Sequence, residues 1–149
     1  ANSKLVSFDR KARYLAAYET KKKLGKLAES SQERLILNVL KNHWGDENIE
    51  HHPLINQWSI DILIIPISTY VQIDGVYWHG LDRDISEIRL SSRNIDKKIV
   101  EKFERDLQQN VWFQNRNIEL VRITDAEVNF HKHDVDFILD KYNLRCPQL

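Results

Sequence analysis

The chain has 149 residues, of which 42% are hydrophobic and 30% are charged, so its length and apolar content suit one compact domain. It contains no run of about eighteen apolar residues and no secretory-type start, and we therefore expect a soluble, cytoplasmic protein that does not bind a membrane. The one cysteine, Cys146, excludes an internal disulfide and a thiolate metal site.

The first 28 residues are much more basic than the rest of the chain. They contain eight basic and two acidic residues, a net charge of +6, although the formal net charge of the whole chain is +0. We predict a basic helical extension over residues 1–28 and an α/β domain over residues 29–149. Lys21, Lys22 and Lys23 are candidate contacts to a phosphate backbone, and the alternative is a solvated helical face.

The segment SSQERLILNVLKNHW predicts the first helix of the domain, because Ser30 and Glu33 have the spacing of a capping box and apolar residues follow at helical intervals. The segment WSIDILIIP then predicts a buried strand that ends at Pro66. A second strand is predicted over residues 69–78. Too few residues separate the two strands for a helix, so we expect an antiparallel hairpin.

The second half of the chain predicts a surface loop over residues 80–94, a long helix over 95–114, a strand over 118–123 and a short helix over 134–142. A helical crossover places the last strand parallel to its neighbour, which gives an α/β fold with a central mixed sheet flanked by helices. The long helix has apolar residues at every fourth position: Ile95, Ile99, Phe103, Leu107 and Val111.

Asp61 and Asp74 are the candidate metal ligands. Asp61 lies among isoleucines, where a carboxylate needs a partner, and Asp74 belongs to the neighbouring strand. Two carboxylates at one end of a sheet suit Mg²⁺, for which Mn²⁺ can substitute. The alternative is that Asp61 faces water from an edge strand.

His79 is the candidate general base or acid, because it follows Tyr77 and Trp78 where the second strand leaves the sheet. The alternative is a half-exposed loop histidine. Asp106, near the core boundary of the long helix, is either a group that orients His79 or a solvated carboxylate. Glu33 already has a structural role in the capping box.

Two histidine pairs, His51 with His52 and His131 with His133, lack the helical spacing and the nearby third ligand of a zinc site. We therefore predict that all four are surface loop residues.

An ordered set of motifs resembles the very-short-patch repair endonucleases and the EDxHD homing endonucleases, a branch of the PD-(D/E)xK nuclease superfamily. The likeness covers residues 30–123 and includes the string GVYWH. The matching elements are Glu33, Asp61, the QIDG turn, His79 in YWHG and Asp106 in FERD. The resemblance implies a PD-(D/E)xK fold and a metal-dependent endonuclease that hydrolyses phosphodiester bonds in double-stranded DNA.

The resemblance also implies a role for each matching residue. Asp61 and the backbone carbonyl of Ile73 would bind the metal, and His79 would lie near the attacking water. Asp106 would orient His79, and Glu33 would support the site from the first helix.

Two departures from the family pattern leave the number of metal ions open. Asp74 stands where the repair enzymes have another histidine, and Gln72 stands at the acid position of the superfamily with no lysine after it. Gln72 and the missing lysine favour the alternative of a catalytically inactive DNA-binding or assembly module with a nuclease fold.

Lys97, Lys98 and Arg105 on the long helix are further candidate DNA contacts. Monomer and homodimer, nicking and cleavage of both strands, and homing, restriction and repair all stay open, with a slight preference for a homing-type enzyme. An RNA nuclease is a third alternative, although we expect few exposed aromatic side chains to stack on single-stranded RNA.

Overall fold

The structure is a computed structural model that describes residue 16 and residues 29–147. The predicted basic extension, with Lys21, Lys22 and Lys23, therefore lies outside the described residues except for residue 16. The helices of residues 29–147 are α1 Ser31–Trp44, α2 Ile85–Leu90, α3 Asn94–Asn115, α4 Asp125–Phe130 and α5 Val135–Lys141. The strands are β1 Ile49–His51, β2 Leu54–Ile55, β3 Trp58–Ser59, β4 Ile62–Ile64, β5 Thr69–Asp74 and β6 Glu119–Thr124.

A mixed four-stranded sheet forms the centre of the fold, in the order β1-β4-β5-β6. Strand β4 is antiparallel to both β1 and β5, whereas β5 and β6 are parallel. The predicted hairpin and the predicted parallel crossover through a long helix are both confirmed. Strands β2 and β3 form a separate antiparallel pair. None of the described helices is both long and apolar enough to cross a membrane.

Each face of the sheet buries its own apolar cluster. Val71 and Ile73 of β5 belong to the larger cluster with α1, α4 and α5. Tyr70 of the same strand packs in the smaller cluster, which includes Phe113 of α3. Because side chains alternate along a strand, Gln72 and Asp74 follow Tyr70 onto the α3 face. This alternation places Asp74 beside α3.

Helix α1 begins as the capping-box spacing predicts. The Ser30 hydroxyl accepts a hydrogen bond from the backbone N–H of Glu33 at 3.1 Å, so one of the unpaired donors at the helix start is satisfied. The carboxyl group of Glu33 has its partners elsewhere, as described below. Glu33 therefore contributes its backbone to the cap and its side chain to another site.

The predicted apolar stripe of the long helix is wrong in its second half. Ile99 is 1% exposed, but Leu107 and Val111 are 46% and 54% exposed. A helix has about 3.6 residues per turn, so every fourth residue lies about 40° further round the axis. The stripe therefore leaves the core, and Gln109 and Phe113 take the buried positions instead.

Other differences concern the ends of elements. Helix α2 lies inside the predicted loop over residues 80–94, and it begins where the Asp84 carboxylate accepts a hydrogen bond from Ser86 N–H. The second strand ends at Asp74 and a turn follows it, whereas the sequence predicted a strand to Trp78. Strand β1 and helix α4 were not predicted, because segments of three and six residues leave little periodicity to detect.

Candidate active site

Two clusters of polar side chains lie at one end of the sheet. Strand β4 is antiparallel to β5 with Ile62 opposite Val71, so the residue before β4, Asp61, and the last residue of β5, Asp74, lie at the same end. The predicted placement of both carboxylates at one end of the sheet is thus observed. Their side chains nevertheless belong to different clusters, which we name the Glu33 cluster and the His79 cluster.

The Glu33 cluster consists of Glu33, His51, His52 and Asp61. Glu33 comes from the first turn of α1, His51 ends β1, and the backbone N–H of His52 donates to the carbonyl of Asp61 at 2.8 Å. Three different segments of the chain therefore supply its side chains.

Asp61 is fixed by the neighbouring strand. Its carboxylate accepts a hydrogen bond from the backbone N–H of Ile73 at 2.7 Å, and its own N–H donates to the side-chain oxygen of Gln72 at 3.1 Å. Asp61 is 9% exposed. Gln72, which stands at the acid position of the superfamily pattern, thus has a structural role, because it stabilises the backbone at Asp61.

The carboxyl groups of Glu33 and Asp61 share a hydrogen bond. Burial raises the pKa of Asp61 to about 8, and the charge of Glu33 and the bond to it act in the same direction. Burial also raises the pKa of Glu33 to about 6, against the lowering effect of its bond to Asp61. One proton shared by two buried carboxyl groups stabilises this arrangement, and a bound cation would do the same.

The prediction that His51 and His52 are surface loop residues is wrong. His52 is 8% exposed, and the Nε2 atoms of His51 and His52 lie 2.8 and 3.6 Å from Oε2 of Glu33. The third ligand that the sequence lacked nearby comes from helix α1. For the other pair, His133 is exposed as predicted, whereas His131 is half-buried and its ring stacks on Phe137.

The His79 cluster consists of Asp74, His79, Asp106 and Arg122. Nδ1 of His79 is hydrogen-bonded to Oδ2 of Asp106 and lies 3.5 Å from Oδ1 of Asp74. His79 is 5% exposed, so it is not a half-exposed loop histidine. Helix α3 thus brings Asp106 against the imidazole, as the resemblance implies.

A tight turn directs His79 into this cluster. The backbone N–H of His79 donates to the carbonyl of Gly75 at 3.0 Å, and Gly80 has a φ of +69°, which favours glycine. A Cβ atom at Gly80 would lie 3.1 Å from Cγ2 of Ile99 on α3. The absence of a side chain at Gly80 therefore lets the turn approach the helix that contains Asp106.

Arg122 is the site residue that the sequence analysis missed. Its Nη1 atom lies 3.0 and 3.2 Å from the two oxygens of Asp74 and 3.8 Å from Oδ1 of Asp106. The same guanidinium donates to Gln109 and, at 2.6 Å, to Asn110. A charged residue between Val121 and Ile123 of a buried strand is the signal that could have identified it. Burial raises the pKa of Asp74, and Arg122 and His79 lower it.

The two clusters differ in charge balance. In the His79 cluster, the carboxylates of Asp74 and Asp106 face the cation of Arg122. Among the described residues, the ion pairs of Glu33 involve only histidines. A further acid, Glu29, lies 3.5 Å from His51. The Glu33 cluster is therefore the more favourable position for an added cation.

The surface beside His79 contains exposed aromatic side chains. Tyr77 and Trp78 are 39% and 51% exposed, so the expectation of few exposed aromatic residues is wrong at this position. The candidate DNA contacts Lys97, Lys98 and Arg105 are exposed on α3. Arg105 directly precedes Asp106, which places one basic residue next to the His79 cluster in the chain.

No family model, curated protein or solved structure matches this chain significantly. The fold and the two clusters define an α/β protein with a mixed four-stranded sheet and flanking helices. A functional assignment therefore depends on the chemistry of the residues themselves.

Proposed function

We propose that the protein is a metal-dependent endonuclease that hydrolyses phosphodiester bonds in double-stranded DNA, with the PD-(D/E)xK fold and of the homing or very-short-patch repair type. The observation that supports this most is the combination, at one end of the sheet, of a buried carboxyl pair, Glu33 with Asp61, and a buried imidazole, His79, hydrogen-bonded to the partly exposed carboxylate of Asp106. Phosphodiester hydrolysis needs a cation at the phosphate and a base for the attacking water.

Asp61 and the backbone carbonyl of Ile73 hold the metal ion in this proposal. The N–H and C=O of one strand residue point to the same side, and the N–H of Ile73 points to Asp61. A carboxylate and a carbonyl oxygen fit Mg²⁺ or Mn²⁺, and the ion supplies positive charge against the phosphate. Asp74 joins these ligands only if Arg122 releases it, so we assign it to the support of His79.

His79 accepts a proton from the attacking water. Its Nδ1 atom faces Asp106, so Nε2 is the nitrogen that remains for the water. The Asp106 carboxylate stabilises the imidazolium that forms and fixes the direction of the ring. Arg122 in turn fixes Asp74 and lies near Asp106, which keeps both carboxylates in place.

Exposed residues of α3 and of the turn before His79 provide the approach for DNA in this proposal. Lys97, Lys98 and Arg105 can neutralise backbone phosphates, and the rings of Tyr77 and Trp78 can stack on bases or enter a base step. Deforming the duplex next to the imidazole would place a phosphate within its reach.

The test is cleavage of supercoiled plasmid and long duplex DNA by the purified protein with Mg²⁺, with Mn²⁺ and with a chelator. Asp61→Asn is the variant, and Asp46→Asn, the same change at an exposed position, is the control. Nicked or linear product that requires both metal and Asp61 supports the proposal. Equal cleavage by both variants, or product in the chelator, contradicts it.

The alternative function is a DNA-binding or assembly module without catalysis. Two contacts favour it: Arg122 supplies the positive charge beside Asp74, and Gln72 binds the backbone of Asp61. In that case the protein retards duplex DNA in a gel-shift assay but does not cleave it with any divalent ion. Tight duplex binding that is unchanged in Asp61→Asn would favour this module.

A further inference from the structure

We propose that Glu33, His51 and His52 form a binding site for a transition-metal ion that prefers imidazole, such as Zn²⁺ or Co²⁺. This ligand set differs from the oxygen ligands of Asp61 and Ile73 assigned above to Mg²⁺. One ligand atom from each of the three residues lies within 4.8 Å of the other two. Two imidazole nitrogens and a carboxylate oxygen are ordinary ligands for such ions.

The convergence of the two imidazoles requires an unusual backbone. Successive side chains of a strand point to opposite faces, so adjacent histidines would normally diverge. His52 has a φ of 56°, in the left-handed region, and the two rings lie with their centroids 3.9 Å apart. This conformation is unfavourable for a residue with a Cβ atom. The fold therefore retains an unfavourable backbone conformation that directs two adjacent imidazoles to one carboxylate.

The charges of the surroundings favour a cation at this position. Glu33 is 4% exposed and its carboxyl group is hydrogen-bonded to that of Asp61, and Glu29 lies 3.5 Å from His51. The basic side chains whose charges act on His51 are Lys41 and Arg34, and Arg34 is already paired with Glu29. Glu33, Asp61 and Glu29 thus surround two imidazoles, and a divalent ion could replace the proton that Glu33 and Asp61 share.

The His51 imidazole is suited to metal binding as a neutral ligand. Burial is the largest effect on His51 and lowers its pKa, which favours the uncharged form whose nitrogen can bind a metal. The Asp61 carboxyl group beside Glu33 fixes the direction of the Glu33 carboxylate, as groups next to metal ligands commonly do.

The second set of potential ligands, Asp74, His79 and Asp106, differs in one decisive respect. The Arg122 guanidinium already supplies a cation there, within 3.0 Å of Asp74. An added divalent ion would have to displace it. We therefore expect an added divalent ion to bind to Glu33, His51 and His52 and not to Asp74, His79 and Asp106.

The test measures metal binding by the full chain, without an affinity tag, without DNA and after removal of metal by a chelator. Co²⁺ is titrated and followed by its visible absorption, and Zn²⁺ is titrated by calorimetry. We expect one tightly bound ion per chain at these imidazole ligands. His51→Gln and His52→Gln should each weaken binding by at least about tenfold, since even a lost neighbour of a ligand has an effect of that size. His133→Gln, at an exposed histidine, is the matched control and should bind as the wild type does.

His51→Gln is the more informative variant, because the His51 side chain is 27% exposed and its replacement leaves the core intact. Circular dichroism and thermal unfolding establish that each variant is folded. No uptake by the wild type, or uptake unchanged in a folded His51→Gln, overturns the proposal. Complete displacement of Co²⁺ by a modest excess of Mg²⁺ also overturns it, because both ions would then share one set of oxygen ligands. If the wild type binds Co²⁺ as expected but cleaves no DNA, the result contradicts the proposed nuclease and still supports this metal site.

Discussion

Glu33 and Asp61, from the first turn of α1 and the residue before β4, bring two buried carboxyl groups into direct hydrogen-bonded contact. At neutral pH they hold a proton that two separate carboxylates would release. The free energy of unfolding of the metal-free protein must therefore change with pH over the range in which this proton is released.

Raising the pH should destabilise the metal-free protein. The pKa of Asp61 is about 8 in the folded chain, against 3.8 for an ordinary aspartate, so its contribution to stability is fully present below the lower value and is lost as the pH rises through the upper one. Between about pH 6.5 and 9, the free energy of unfolding should fall by about 2 kcal/mol. Urea unfolding in a chelator measures this.

Asp61→Asn is the control for this pH dependence, because asparagine does not titrate. Its free energy of unfolding should vary much less over the same interval, and at the alkaline end it should equal or exceed that of the wild type. The same slope in both proteins would exclude Asp61 as the titrating group.

Replacing His79 should remove catalysis and leave the fold intact. His79→Ala deletes the proposed proton acceptor, and Asp106→Asn leaves the imidazole without its carboxylate partner. We expect each variant to cleave DNA at least about 100-fold more slowly, the usual size of a general-base contribution. Single-turnover cleavage of a defined duplex measures this, and His131→Ala serves as the control. Wild-type rates in His79→Ala would contradict the mechanism.

Replacing Arg122 should destabilise the protein, because Asp74 and Asp106 would lose the cation that they face. Arg122→Met removes the cation beside Asp74, whose side chain is 5% exposed, and we expect a loss of about 2–3 kcal/mol. The double variant Asp74→Asn with Arg122→Met should recover part of this loss. Chemical unfolding of the four proteins in the cycle gives the coupling energy, and a coupling near zero would refute the ion pair.

Duplex binding should separate the aromatic from the basic contacts. Trp78→Ala should weaken binding without changing its dependence on salt, because the ring has no charge. The double variant Lys97→Ala with Lys98→Ala should lower the slope of log K against log salt by about 2. Fluorescence anisotropy with a labelled duplex at several salt concentrations measures both. An unchanged slope in the lysine variant would place the DNA elsewhere.

Patterns along the sequence predicted three of the four strands of the central sheet and the main helices, because periodicity and capping are local. Ser30 and Glu33 located the start of α1, and the short link between the strands of the hairpin fixed their antiparallel pairing. The apolar stripe of α3 failed at Leu107 and Val111, because a spacing of four residues and a turn of about 3.6 diverge over several turns.

The candidate site could be predicted only where one residue was conspicuous in its own segment. Asp61 stood out among isoleucines and His79 after two aromatic residues. His52 did not, because its partner Glu33 belongs to another element and its left-handed backbone leaves no trace in the spacing. Arg122 was missed although it interrupts a buried strand, because its partner Asp74 lies on the strand beside it.

Gly80 has no functional group, yet the geometry around it makes it as sensitive to substitution as the residues of the His79 cluster. A side chain there would require an unfavourable backbone and would press on Ile99, which belongs to the same helix as Asp106. In a library selected for activity, Gly80 should therefore tolerate as little change as His79, whereas a library selected only for folding should accept alanine there more often. In such a selection Gly80 would behave like a catalytic residue, because the absence of a side chain there lets the turn with His79 lie close to the helix that contains Asp106.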